Sequence, residues 1–283
     1  MIEAASVCDR LLRDVGQDTC SLQVHSMFDT AVNFTSAFGI VTVLSPGRSL
    51  QPYAMVLCQD FDFHFFEYRV SGINDAGVHA NGIQVIDFSC ASRPDLSIEG
   101  RKLPAYDPAE AALGHIRSFL KGHCEEGLSR LVFHRLDNAV TGFLYPRIEA
   151  FRKAAAGSDD EAFIRAAYEI SGCGEGLTPS SDDFLSGYLL CAGFIRGREV
   201  TKAAAYMAAE RTNDISAALL KRSGEGLYSE GILALLTALG SADNEEEINR
   251  AISRVAEFGS SSGCDFLTGL YFGIKDLLVR KEE

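Results

Sequence analysis

Three aspartates, two glycine-punctuated loops and a row of hydroxyls carry the chemistry this sequence can offer. Gly172-Cys173-Gly174-Glu175-Gly176-Leu177-Thr178-Pro179 runs into Ser180-Ser181-Asp182-Asp183, and from there into the apolar stretch Phe184–Ile195. Gly259-Ser260-Ser261-Ser262-Gly263 runs in the same way through Asp265 into Phe266–Leu278. Asp183-Phe184-Leu185-Ser186-Gly187-Tyr188 and Asp265-Phe266-Leu267-Thr268-Gly269-Leu270 are alike at a constant spacing of 82 residues. A helix start has unpaired N–H groups and about half a positive charge. Glycine lets a loop backbone approach a ligand closely. Together they predict a cradle for an anion or phosphate, with Gly174, Gly176, Thr178, Ser180, Ser262 and Gly263 around it.

A carboxylate that opens a buried helix needs a partner. Asp182, Asp183 and Asp265 are therefore the candidate catalytic groups. Asp183 and Asp265 are expected close together in one pocket, where they would hold a magnesium ion or orient an amino group. The plainer reading is that each acid favours its helix dipole, worth roughly 0.3–1 kcal/mol at an exposed terminus. Thr212-Asn213-Asp214-Ile215-Ser216 also reads two ways. It is a helix cap, or it adds Asn213 and Asp214 to the same pocket.

Several familiar chemistries are absent. No Gly-Lys-Ser/Thr follows the glycine loop, so it is not a phosphate loop of the nucleotide-hydrolase type. Tyr168–Ser171 before it looks like a helix end, so it is no dinucleotide fingerprint either. Gly259-Ser260-Ser261-Ser262-Gly263 has the Gly-x-Ser-x-Gly spacing, but it follows the helix that starts at Asp243–Glu246 and not a strand, so no serine-hydrolase elbow is read there. His25 precedes Ser26 and is kept among the substrate-binding candidates, although no acidic partner can be assigned to it and a structural role is the simpler reading. His64, His115 and His134 read as structural or exposed, and His123-Cys124 sits in a polar loop without metal spacing. None of the eight cysteines stands in a C-x-x-C pair or at zinc spacing. Most lie in apolar runs, so they are expected to act as small hydrophobes rather than as a disulfide framework.

The elements that must position these residues fall into two textures. Residues Ile2–Asp14 space apolar positions as a short helix. Ser21–Phe28, Gly39–Leu44, Ala54–Leu57, Asp60–Val70 and Gly82–Phe88 read as strands, separated by turn signals at Ser45-Pro46-Gly47, Ser71-Gly72 and Asn81-Gly82. In Asp60–Val70 the alternation puts Phe61, Phe63 and Phe65 on one face. Ser92–Pro104 reads as a linker. After it, Asp107-Pro108, Ser158–Glu161, Thr178-Pro179 and Asp243–Glu246 read as helix starts, and Gly197, Gly224 and Gly240 as stops or turns. The expected fold is α+β: an antiparallel β domain or small barrel over residues 1–103, then an all-α domain of seven or eight helices over residues 104–283. Phe184–Ile195 and Phe266–Leu278 are apolar almost all round and are expected as its two buried central helices.

A formal charge of −13 with scattered basic residues argues against nucleic acid and against anionic membranes. No apolar run of about 18 residues exists to span a bilayer. Met1–Arg13 carries charges and no apolar core of a signal peptide, so the cytoplasm is the expected location.

The motifs Gly172-x-Gly-x-Gly-Leu-Thr-Pro-Ser-x-Asp-Asp-Phe-Leu-x-Gly187, Thr212-x-Asp-Ile-Ser216 and Ser262-Gly-x-Asp-x-Leu-x-Gly269 resemble the AllH family. This bacterial family was long of unknown function and is sometimes labelled a carboxylase. Val24-His25-Ser26-x-Phe28 with Ala31-Val32-Asn33 is similar to its N-terminal signature. The resemblance implies a subunit of oxamate carbamoyltransferase in allantoin and purine catabolism, moving a carbamoyl group between oxalurate and phosphate, with sister subunits as partners. Its ligands would be a small carboxylate or carbamoyl compound and phosphate. Two other classes stay open: a metal-dependent hydrolase with its Asp-rich helix starts around magnesium, and a non-catalytic structural subunit.

Overall fold

A computed structural model describes residues 1–104, 106–124, 127–136, 139–174, 176–241 and 244–279. Glu175 of the glycine loop and Asp243 of the proposed helix start lie outside the described residues, as do the side chains of Asp107 and Pro108. Among the described residues, no helix is long and apolar enough to cross a membrane. Contacts divide the chain into two compact units. One is Met1–Ser97 with Tyr228–Glu230; the other is Ile98–Leu227 with Gly231–Glu283.

The first unit is a closed barrel of eight strands: β1 (Ile2–Val7), β2 (Cys20–Phe28), β3 (Ala31–Ser36), β4 (Gly39–Leu44), β5 (Ala54–Leu57), β6 (Ser71–Asn74), β7 (Gly77–Ala80) and β8 (Ile83–Asp87). Their order around the barrel is β1-β5-β4-β3-β2-β6-β7-β8. Closure removes the exposed edges that an open sheet would leave. Most pairs are antiparallel, but β4–β5 and β1–β8 are parallel. Val32, Phe34, Val41 and Val43 fill the interior at alternate positions. Asn81 and Gly82, both with positive φ, make the two-residue turn from β7 to β8. Tyr228 N–H donates to Leu96 O and Glu230 N–H to Leu50 O, which ties that short stretch to this unit.

Three expectations fail here. The first part of Ile2–Asp14 is strand β1, and only α1 (Asp9–Val15) is helical. Pairing with β5 and β8 decides this, and neither partner is nearby in sequence. Asp60–Val70 is not a strand. The Asp62 side chain accepts from His64 N–H and caps a short 3-10 helix, Phe63–Phe66. Phe63 and Phe66, three apart, are the buried pair, and Phe66 stacks edge-on against Phe34 with ring centroids 5.1 Å apart. Ser71-Gly72 lies in β6 rather than in a turn.

In the second unit the described α-helices are α2 (Tyr106–His123), α3 (Ala139–Ala156), α4 (Asp160–Ile170), α5 (Ser180–Ile195), α6 (Arg198–Ala209), α7 (Asp214–Gly224), α8 (Glu230–Ser241), α9 (Glu245–Ala256) and α10 (Ser262–Leu277). That is nine rather than seven or eight; the first residue of α8 belongs to the barrel unit. Caps start several of them. Asp159 accepts from Ala162 N–H at the start of α4, Asn213 from Ile215 and Ser216 N–H at α7, and Asn244 from Glu247 N–H at α9. Gly240 lies inside α8 and stops nothing.

The helices α5 and α10 are the buried pair that the sequence predicts, and they pack more extensively than any other two elements. A Cβ on Gly187 would collide with the Phe266 carbonyl, and one on Gly269 with the Phe184 carbonyl. Further along, Gly273 lies against Cys191 and Tyr188. The contacts advance in step along both helices, so the two run parallel with their starts together. The 82-residue echo thus becomes a local two-fold relation. At the far end, Arg152 of α3 makes a two-pronged ion pair with Asp276 of α10 at 2.6 and 2.7 Å.

Candidate functional site at the paired helix starts

Parallel packing brings the glycine loop and the serine loop to the same place. Thr178 Oγ1 and Ser262 Oγ are 2.7 Å apart. From there the hydroxyls cross over. Asp183 of α5 lies beside the hydroxyls of Ser262, the first residue of α10, and of Thr178, which favour its charged form. Asp265 of α10 lies in the same way beside the hydroxyls of Ser180, the first residue of α5, and of Ser261. Each helix start therefore braces the carboxylate of the other. Leu128 N–H also donates to Asp265 Oδ1 at 2.6 Å. It belongs to a 3-10 helix, Gly127–Phe133, and a Cβ on Gly127 would collide with the Asp265 carboxylate.

Both carboxylates are buried: Asp183 is 8% exposed and Asp265 is fully covered. Each keeps one oxygen, Oδ2, with no hydrogen-bond partner among the described residues. A buried charged oxygen left unpaired is costly. Burial pushes the Asp265 carboxyl up to about 7, against the hydrogen bonds from Leu128, Ser180 and Ser261. Burial first, and the Asp265 charge second, push Asp183 well above the ordinary carboxylate range. The pair is thus close enough to repel and is held in place by hydroxyls.

This has a consequence for stability. Between the unfolded carboxylate range, near pH 4, and pH 7, the folded chain binds more protons at these positions than the unfolded chain does. Stability therefore falls as pH rises through that window. Three pH units correspond to about 4 kcal/mol for one such carboxyl. Asp265→Asn keeps an oxygen for Leu128 and removes the ionisation. It is expected to stabilise the chain by roughly 2–4 kcal/mol at pH 8 and by little at pH 4. Urea unfolding at the two pH values measures it, and an equal effect at both would contradict the assignment.

The other candidates take distinct places. Asp182 turns to the loop. It accepts from Gly172 N–H at 2.7 Å and from Thr212 Oγ1, with the Ser181 and Ser216 hydroxyls nearby. Burial raises its pKa in spite of these bonds. Asn213 caps α7 and donates to Leu177 O at 2.8 Å, tying the glycine loop to that helix. Asp214 follows it as the exposed first residue of α7. Gly174 lies against the Ser180 backbone, and Gly176 is exposed in open space. Gly263 sits against Val255 and Ala256, with its N–H on Phe258 O. Ser181 N–H is taken by Cys173 O. His25 lies in the barrel unit, on β2.

A magnesium ion would meet two carboxylates and the surrounding hydroxyls. Among the described residues, no group of three or more His, Cys, Asp or Glu side chains could hold a metal ion. Magnesium commonly takes one or two of its six oxygen ligands from carboxylates and the rest from water.

Sequence reasoning missed the contribution of Gly127 and Leu128, and it missed a disulfide. Cys124 and Cys264 are bonded, with Cα atoms 6.1 Å apart. This corrects the expectation, drawn from the apolar runs around most of the cysteines, that they would not pair. The partners are separated by 140 residues and carry no local spacing signal. The bond joins the segment before Leu128 to the residue beside Asp265, so it supports the same corner of the site.

No solved structure matches the chain significantly. The N-terminal likeness seen in the motifs has no counterpart in the family comparison, which covers the helical segment alone. That segment, residues 170–274, holds the glycine loop, both central helices and all three aspartates, and it matches the family described as oxamate carbamoyltransferase subunit AllH.

Proposed function

We propose that this chain is a subunit of a carbamoyl-transferring complex of allantoin catabolism, and that the paired helix starts form its carbamoyl site. The observation that carries this is the pair of unbonded buried oxygens, Asp183 Oδ2 and Asp265 Oδ2. A carbamoyl NH2 has two N–H donors in one plane. Two fixed acceptors that gain nothing from water are matched to such a group and not to an anion.

In the reaction, oxalurate and phosphate give oxamate and carbamoyl phosphate. A phosphate oxygen bonds to the carbamoyl carbon. The bond from that carbon to the oxamate nitrogen breaks, and the nitrogen takes a proton. Asp183 and Asp265 would hold the carbamoyl amino group. The Thr178 and Ser180 hydroxyls would turn from Asp183 and Asp265 to donate to oxygen as negative charge develops there, a stabilisation that acts mainly in the transition state. The exposed glycines Gly174 and Gly176 would let the loop backbone approach the phosphate. Ser262 and Gly263 complete the second helix start. Asp182 and Asn213 would position the loop, with Asp214 at its border. The domain assignment belongs to the same proposal: residues 104–283 carry the chemistry, and the barrel of residues 1–103 serves another role in the complex.

Burying unpaired carboxylates costs stability, and a site that sacrifices stability is expected where function needs it. A purely structural subunit has no use for that cost. The test is reconstitution with the sister subunits, using carbamoyl phosphate and oxamate and following phosphate release. The complete mixture is expected to be active and the mixture lacking this chain inactive. Equal activity without the chain would overturn the proposal.

A further inference from the structure

A second polar constellation lies in the barrel unit, on the strands β2, β3 and β4. Successive side chains of a strand normally point to opposite faces, so His25 and Ser26 should not meet. The register of β2 against β3 shifts between Val24 and Ser26: Val24 faces Phe34, and Ser26 faces Asn33. His25 is the extra residue of a β-bulge, a device that re-aims a side chain. Its Nδ1 comes to 3.1 Å from Ser26 Oγ.

The hydrogen bonds beyond this pair have a direction. Thr42 Oγ1 donates to Asn33 Oδ1 at 2.7 Å. Asn33 Nδ2 then donates to Ser26 Oγ at 3.1 Å. Asn33 is 8% exposed, and both ends of its amide are engaged, so it cannot turn. Its N–H occupies one lone pair of Ser26 Oγ, and in the tautomer with Nδ1 unprotonated the Ser26 proton points at His25 Nδ1. Bonds aligned in one direction strengthen one another. Ser26 is half-buried and His25 exposed, so the end of the chain is reachable.

We infer that Ser26 is a nucleophile toward small activated acyl groups, with His25 as its base and Asn33 as its positioning residue. The site is separate from the paired helix starts and does not depend on their proposed role. In the step, Ser26 Oγ bonds to the acyl carbon and the bond from that carbon to the leaving oxygen breaks. The leaving group departs with the electron pair, and the serine proton passes to His25 Nδ1.

The full chain incubated with p-nitrophenyl acetate tests this, with p-nitrophenolate followed by absorbance and the acetylated peptide identified by mass spectrometry. Acetylation is expected at Ser26 ahead of other exposed serines. His25→Ala is expected to slow it by about 100-fold or more, in line with the contribution of a general base. Asn33→Ala should slow it less. Ser26→Ala should abolish the label at that peptide; should that variant not fold, the wild-type and His25→Ala rates decide. Acetylation of Ser26 no faster than of other exposed serines, or equally fast in His25→Ala, would overturn the inference.

Discussion

Asp183→Asn is expected to abolish carbamoyl transfer, with a loss of at least about 100-fold in kcat, while the fold is kept and its stability at pH 8 rises. The two effects have one cause. The substitution keeps the size of the side chain and an oxygen for the Ser262 and Thr178 hydroxyls. It removes a buried charge and the acceptor Oδ2, which has no partner among the described residues. If Asp183 served only as a first-turn acid on α5, Asn would serve nearly as well, since the two residues rank together at helix starts. Activity would then survive. The assay uses oxamate and carbamoyl phosphate with the sister subunits present, and thermal unfolding is measured on the same preparation. Full activity in the Asn variant would remove Asp183 from the chemistry. Lost activity together with lowered stability would mean that the packing of α5 had failed instead. Only inactive and at least equally stable protein supports the proposed role.

The second large effect concerns the glycines that let α5 and α10 touch. Gly187→Ala and Gly269→Ala each place a methyl on a backbone carbonyl of the opposite helix. Alanine in a helix ordinarily gains up to about 1 kcal/mol over glycine. Here the helices must move apart, and overpacking costs typically about 1–3 kcal/mol and occasionally more. Because the obstacle is backbone, which cannot change rotamer, the net expectation is a loss of roughly 2 kcal/mol or more for each variant. Gly114→Ala is the control. Its Cβ meets nothing within 4 Å inside α2, so a gain of about 0.5–1 kcal/mol is expected there. Urea unfolding of the three variants measures the contrast. A Gly187→Ala or Gly269→Ala chain as stable as the Gly114→Ala chain would show that the two helices do not make this contact. Separation of the helices would also carry Ser262 away from Asp183 and Ser180 from Asp265, so activity should fall with stability.

Much of the fold could be read from local patterns. Gly39–Leu44 and Ala54–Leu57 are strands with the limits their composition suggests, and Asn81-Gly82 is the turn it resembles. The acids and amides before α4 and α9 do cap helices. Failures came where a distant partner outweighs a local pattern. The start of the chain is apolar at both helix and strand spacings, and only β5 and β8 decide between them. Phe61 to Phe66 alternate like a strand, but Asp62 caps a tight turn and two of the rings belong inside the barrel.

The candidate site divides in the same way. The sequence by itself determined which residues would carry chemistry: two like motifs, each with a hydroxyl-bearing loop, an aspartate and an apolar helix dotted with small residues. It also determined that these helices would be buried, because neither has a polar face to present to water. The tertiary structure alone decided that the helices run parallel, that each start braces the carboxylate of the other, and that one oxygen of each carboxylate is left unpaired. It alone brought Cys124 to Cys264 and Leu128 N–H to Asp265. The reason is physical. Caps, turns and burial are settled among residues a few positions apart, where spacing is visible in the chain. The orientation of two apolar helices, and what then remains unsatisfied between them, depends on how their surfaces close on each other, and no periodicity records that.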